Sequence, residues 1–243
     1  MPQSPRPTGG RSTAGERRCR LNLQAIEASL RTVQKNFASI NVSLQSRRET
    51  MADEMVANMM AGYAFVDQLI ADRSPLFCMG QLRWLLELNA LVLCGGDARE
   101  RERHAEHLAA TEEHFYGQRD GGIRDVVEWY ELHKGESPWK RAAGVYIRVL
   151  SEPQLFIEGN HRTGALIMSF ILATDSRPPF VLSVDNAKSY FDPSTLITKT
   201  SKRSVAMLFR MPKLKKEFAA FLREQADDRY LVEGASEYAV EAS

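Results

Sequence analysis

The chain has 243 residues, of which 44% are hydrophobic and 26% are charged, which is enough for one large domain with a sizeable core. Its formal net charge is only +1, and this near balance argues against a dedicated nucleic-acid surface. No apolar run is long enough to span a bilayer, and the three cysteines have no metal-like spacing. We therefore expect a cytoplasmic protein with no membrane or nucleic-acid partner.

Both ends of the chain are expected to lack structure. Residues 1–20 are rich in proline, glycine and arginine, and residues 227–243 form an acidic tail. Between them, the sequence predicts N-terminal helices over 21–73 and a main domain over 74–226.

The first helix, from Leu23 to Ile40, has apolar residues at alternating spacings of three and four. That seam either packs on its own domain or pairs with a second copy of the chain to form a homodimer. A second helix, from about Arg47 to Ile70, carries a methionine-rich face that is more typical of core than of a cofactor site.

The main domain also reads as helical, with one exception. Four further helices are predicted before and after the central loop: from Pro75 to Cys94, from Asp97 to His114, from Pro138 onward, and from about Ser204 to Arg223 with a break at Pro212. The exception is the segment from Gly117 to Glu128, where a glycine pair precedes apolar residues and predicts a short hairpin. The fold class is therefore all-α with one small β-hairpin.

The stretch Leu155–Gly164 is the most informative in the chain. It reads as a tight turn, Glu158-Gly159-Asn160, that opens directly into a helix with an arginine in its first turn. Amides at a helix start and a guanidinium bind phosphate, while a carboxylate suits Mg²⁺. Candidate phosphate-binding residues are Gly159, Asn160, His161, Arg162 and Thr163, and the candidate metal ligand is Glu158.

This stretch resembles the signature of the Fic/Doc (Fido) family, His-Pro-Phe-x-Asp/Glu-Gly-Asn-Gly-Arg-x-x-Arg. The resemblance covers roughly residues 75 to 200 and implies a Fic-type helical bundle that binds ATP or another nucleotide with Mg²⁺. It also implies that Phe156 is a buried anchor of the loop. A target protein segment would dock on a hairpin flap near Gly117–Glu128.

Four positions depart from the family pattern. Gln154 stands where the family has its catalytic histidine, and a carboxamide cannot accept a proton near neutral pH. Leu155 replaces a proline, His161 replaces a glycine, and Ala165 replaces the second arginine. The candidate catalytic residues are therefore Gln154, acting by orientation, and His161, which serves either as a substitute base or in a structural role.

Three functions follow from the resemblance and its departures. The first is transfer of AMP from ATP to a protein hydroxyl, with an altered active site. The second is a pseudoenzyme that binds a nucleotide or a protein with little transfer. The third is Doc-like phosphorylation, since that branch also lacks the second arginine.

Overall fold

The computed structural model describes residues 19–202 and 205–234 and confirms the all-α class. The helices are α1 (Leu23–Ser43), α2 (Asp53–Ala71), α3 (Arg83–Cys94), α4 (Ala98–Arg103), α5 (Ala105–Gly117), α6 (Ile123–Leu132), α7 (Pro138–Leu150), α8 (Asn160–Thr174), α9 (Ala187–Thr198) and α10 (Val205–Glu224). Two short strands, β1 (Cys19–Leu21) and β2 (Leu231–Glu233), form an antiparallel pair. None of the helices in the described ranges has the length and apolar character needed to cross a bilayer.

The small antiparallel pair is not at the expected place. It joins the two ends of the described chain, whereas the segment predicted as a hairpin flap, Gly117–Glu128, holds a turn and most of α6. The buried residues of α6 include Ile123, Val126 and Val127, which are three and four positions apart. That spacing places them on one face of a helix and on both faces of a strand, so the helix alone buries them together. The hairpin prediction was wrong.

Helix α8 lies at the centre of the molecule. Twelve of its residues are buried, and α2, α3 and α7 pack around it. The packing against α2 is very close, because a Cβ on Gly62 would lie 2.3 Å from Leu166 Cδ1. An element enclosed in this way holds its first turn in a fixed position, and the first turn is the part that carries the candidate site.

The apolar seam of α1 packs within the same chain. Ile26, Leu30, Val33, Phe37 and Ile40 are all at most 7% exposed and belong to the main hydrophobic cluster. Of the two alternatives for this helix, the structure therefore shows the seam packed on its own chain. A homodimer through these positions would need a face that is already covered.

Residues 19–20 and 227–234, which were expected to lack structure, are held in place. The carboxylate of Asp67, only 6% exposed, accepts hydrogen bonds from Arg20 Nε at 2.9 Å and from the Leu21 amide at 2.8 Å. These bonds fix β1 on α2, and β1 in turn holds β2. The predicted loose tail is thus corrected for residues 227–234, while residues 1–18 and 235–243 lie outside the described residues.

Several helix bounds also differ from the sequence expectations. Helix α2 starts at Asp53 and α3 at Arg83, because the preceding segments form extended loop and short 3-10 turns instead. Helix α10 continues through Pro212, where a break was expected. Asp97 caps α4 as predicted, accepting hydrogen bonds from the amides of Arg99 and Glu100. One hydrophobic cluster runs from β1 to the C-terminal turn, so the N-terminal helices share their core with the rest.

Candidate functional site

The loop between α7 and α8 is shaped by the side chain of Asn160. Its Oδ1 accepts from the Phe156 amide at 2.9 Å, and its Nδ2 donates to the Phe156 carbonyl at 2.7 Å. The same Nδ2 donates to Gln154 Oε1 at 3.1 Å. Asn160 is 4% exposed, so its carboxamide is used inside the loop. Of the groups of this candidate phosphate-binding residue, the side chain is therefore occupied within the loop, and the backbone amide is left for a ligand.

The predicted anchor of this loop is confirmed. Phe156 is 1% exposed, and its ring stacks on Phe115 of α5 with the centroids 5.5 Å apart. Burial of a phenylalanine contributes roughly 2–3 kcal/mol, which holds the loop against α5. The neighbouring Leu155 is also buried, and its amide donates to the Val149 carbonyl at 3.0 Å.

Gly159 precedes α8 in a left-handed conformation, with φ of +76°. A Cβ at this position would lie 3.0 Å from Asn89 Nδ2, so the turn also needs a glycine for close approach to α3. The side-chain Nδ2 of Asn89 donates to the Glu158 carbonyl at 2.9 Å and to Thr163 Oγ1 at 3.0 Å. Asn89 therefore ties the loop to the first turn of α8, a contact that sequence patterns did not indicate.

Thr163 is not available to a ligand. Its side chain is fully buried, its Oγ1 accepts from Asn89, and its amide donates to the Gly159 carbonyl at 2.9 Å. The sequence prediction included Thr163 among the phosphate-binding residues, and the geometry removes it. The amides of Asn160, His161 and Arg162 come before the first helical hydrogen bond, and no acceptor for them occurs among the described residues.

The guanidinium of Arg162 is already held by the protein. Its Nη1 donates to the Val92 carbonyl of α3 at 2.6 Å, and burial lowers the pKa of the guanidinium below its usual value. One of its five donors is used in this contact, and the residue still lines the cavity described below. Arg162 thus joins α8 to α3 as well as presenting positive charge.

Both ring nitrogens of His161 face polar groups of the same chain. Nδ1 lies 3.3 Å from Tyr146 Oη, and Nε2 lies 3.4 Å from Arg48 Nη1. Burial, and secondarily the charge of Arg48, lower the pKa of His161 to about 4. An imidazole that is this reluctant to take a proton is a weak general base. The geometry favours the structural alternative for His161.

Glu158 lies on the outer side of the loop. Its side chain is 64% exposed, and its Oε2 lies 3.9 Å from His107 Nε2. Within the described residues, no group of three or more histidine, cysteine, aspartate or glutamate side chains is arranged to hold a metal ion. Mg²⁺ commonly uses one or two protein carboxylates together with water and phosphate oxygens, so a single exposed Glu158 fits that ligand chemistry.

Gln154 is in contact with two elements. Its side chain accepts from Asn160, while its carbonyl accepts from His114 Nε2 and Gln118 Nε2, each at 3.0 Å. Two histidines of α5 approach this loop: His114 bonds to the Gln154 carbonyl, and His107 Nε2 lies 3.9 Å from Glu158 Oε2.

A cavity of about 300 Å³ opens beside the first turn of α8. Most of its wall is apolar and includes Met51, Met55 and Met59, the methionine face that the sequence assigned to core. The polar part of the wall comes from Arg48, Glu49, and the first-turn residues Gly159, Asn160, His161 and Arg162. Ala165, which stands at the position of the family's second arginine, lines the same cavity.

Arg48 is the site residue that sequence reasoning missed. Its Nη2 donates to Thr195 Oγ1 at 2.8 Å, and its guanidinium lies 5.2 Å from the ring centroid of Phe191. Its Nε is buried with no hydrogen-bond partner, and no carboxylate in the described residues forms an ion pair with it. Nothing local marks Arg48, because it reaches His161 across 113 positions of the chain.

Neither a protein-family model, a curated protein nor a solved structure matches the chain at a significant level. The resemblance to the Fic/Doc family therefore depends on the loop residues and the order of helices around them.

Proposed function

We propose that the chain is a Fic-like nucleotide-binding protein in which group transfer is weak or absent. The observation that carries this proposal is the cavity beside the first turn of α8, whose wall includes Arg48 and Arg162 together with three methionines. Its volume of about 300 Å³ is at the lower limit of small-molecule sites. An anionic group suits the free amides and arginines, and a planar base suits the methionine wall.

Arg48 supplies the positive charge that the family places on α8. Ala165 leaves that helix position without a cation, but Arg48 enters the same cavity from the loop before α2. The guanidinium lines the cavity and has more N–H donors than its contacts with His161 and Thr195 use, so it has capacity for a phosphate oxygen. A site that keeps its phosphate-binding arginines but lacks the general base is expected to bind a nucleotide without efficient group transfer.

Transfer is disfavoured because no base is in place. Gln154 cannot accept the proton of a target hydroxyl, and its side-chain oxygen already accepts from Asn160. If ATP and Mg²⁺ bind, Glu158 would hold the metal ion and the first turn of α8 the phosphates. The metal ion would neutralise phosphate charge in that complex.

The proposal is tested by calorimetry with ATP in the presence and absence of Mg²⁺. Arg48→Gln should weaken ATP binding about ten- to a hundredfold, because a charge-assisted hydrogen bond contributes roughly 1.5–3 kcal/mol. The neighbouring Arg47→Gln is the matched control, since Arg47 is exposed and lies outside the cavity. No wild-type binding at millimolar ATP, or equal binding by both variants, would refute the proposal.

A second candidate function, AMP transfer, is favoured by one specific contact. His114 Nε2 bonds to the Gln154 carbonyl, so an imidazole from α5 lies next to the position of the missing base. Incubation with α-labelled and γ-labelled ATP, followed by intact-mass measurement, separates AMP transfer from phosphorylation and from binding alone. Transfer that is lost in His114→Gln but kept in His104→Gln would establish this function in place of the binding module.

A further inference from the structure

A second cavity, of about 450 Å³, lies between α6, α7 and the first half of α10. It shares no lining residue with the cavity beside α8. Three basic side chains line it: Arg148 of α7, Lys202, and Lys215 of α10. Arg148 and Lys215 both lie over the ring of Trp129, which is 8% exposed.

Arg148 is the most unusual of the three. Its guanidinium carbon lies 4.4 Å from the ring centroid of Trp129. No hydrogen-bond acceptor or ion-pair partner of this guanidinium occurs in the part of the chain that the structure describes. Burial lowers the pKa of Arg148 to about 10. The charge of Asp125 offsets this effect only in part. A desolvated cation that no hydrogen bond satisfies is costly to keep, and this one faces a cavity where an anion could pair with it.

The two lysines add charge from separate elements. Lys215 Nζ lies 5.2 Å from the Trp129 centroid and 2.8 Å from the nearest carboxylate oxygen of Glu136. Lys202 Nζ donates to the Pro153 carbonyl at 2.6 Å and also to the Gly121 carbonyl. Burial, and then the charge of Arg148, lower the pKa of Lys202 to about 8. The charge of Arg148 thus disfavours the protonated form of Lys202, and a bound anion would relieve that repulsion.

The carboxylates of the cavity are at its exposed side. Asp125 and Glu128 both line it, both are exposed, and neither forms an ion pair with Arg148 among the described residues. The Asp125 carboxylate accepts from the Gly121 amide. Two negative groups at the rim disfavour a polyanion, so the arrangement suits a ligand with a single anionic group.

We propose that this cavity binds a small phosphate monoester. The anionic group would pair with Arg148, with Lys202 and Lys215 beside it. The organic part would contact the apolar wall, which includes Val126 and Met211. The site is independent of the nucleotide-binding function proposed above, because it uses other residues.

The experiment follows the side-chain indole N–H signal of Trp129 by NMR while inorganic phosphate or phenyl phosphate is added at constant ionic strength. We expect a saturable shift of this signal, with phenyl phosphate binding more tightly because it also buries apolar surface. Arg148→Gln should weaken binding at least tenfold. Arg83→Gln is the matched control, because Arg83 also lies 4.4 Å over a tryptophan, Trp84, but is exposed and outside the cavity.

Three outcomes would overturn the proposal: no saturable shift at Trp129, equal weakening in Arg148→Gln and Arg83→Gln, or undiminished binding in Arg148→Gln. Lys215→Gln provides a second test if Arg148→Gln does not fold, and it too should weaken binding severalfold. Arg48→Gln separates the two sites. It should leave the Trp129 titration unchanged whether or not nucleotide binds beside α8.

Discussion

The partly buried imidazole of His161 should make the stability of the folded chain depend on pH. Its pKa is about 4 in the folded state, against 6.5 for an ordinary histidine. As the pH falls below about 6.5, the unfolded chain takes up a proton that the folded chain refuses. The free energy of unfolding therefore falls, and this loss is complete below about pH 4. From these two pKa values, the loss at pH 4.5 is about 2.5 kcal/mol.

Urea denaturation at pH 7.5 and pH 4.5 measures this loss. Between the two pH values, the wild type should lose about 2.5 kcal/mol more than His161→Gln, which cannot titrate there. If the substitution breaks a hydrogen bond to Tyr146, that bond is absent at both pH values. Its free energy therefore cancels when the two unfolding measurements of the variant are subtracted. His104→Gln, which removes an exposed histidine, should keep the wild-type loss. Equal losses in wild type and His161→Gln would show that the folded chain accepts the proton, and the structural assignment of His161 would be refuted.

Three further predictions concern the loop itself. Gln154→His should create or raise transfer from labelled ATP, with a rate that titrates near pH ~6–7; a variant as inactive as the wild type would mean that more than the base is missing. Glu158→Gln should abolish the Mg²⁺ dependence of ATP binding seen by calorimetry, and an unchanged dependence would place the metal ion elsewhere. Gly159→Ala should lower the free energy of unfolding by about 1–2 kcal/mol, because an alanine is strained at φ +76° and would press on Asn89. Gly135→Ala, with open space at its Cβ position, should be close to neutral.

Local signals in the sequence were sufficient where a residue acts on its own segment. The apolar seam of α1 predicted which residues of that helix are buried, and Asp97 predicted the start of α4. Phe156 was expected in the core of the loop and is 1% exposed there. The first two predictions depend on a periodicity or a cap that extends over only a few residues, whereas the anchor role of Phe156 was implied by the resemblance to the Fic/Doc signature.

The sequence failed where a local signal was given too much weight. The pair Gly121-Gly122 favoured a hairpin, yet only Gly121 has a positive φ and the chain then enters α6. The spacing of Ile123, Val126 and Val127 already suited a helix. Here the periodicity of the apolar residues was the better guide than the glycines.

The site depended on contacts that no sequence pattern could reveal. Asn160 was expected to face a ligand, and it instead closes hydrogen bonds to Phe156 and Gln154. Arg48 and Asn89 come from helices and loops far along the chain, and they reach the loop only because the core brings them there. The sequence could therefore indicate the loop, but not which of its side chains stay free.

The pairing of β1 with β2 has a consequence for how the molecule opens. Asn22 bonds to the Arg229 carbonyl across 207 positions of the chain, so closing this contact early in folding would carry a large loop-closure entropy. The pair is short, and β2 is mostly exposed. It therefore gains its stability from the helices between its strands, and we infer that it separates before they do. Tyr230, which is 3% exposed, would become accessible to solvent when the two strands separate. Its ring thus reports on a partial unfolding that leaves the first turn of α8 intact.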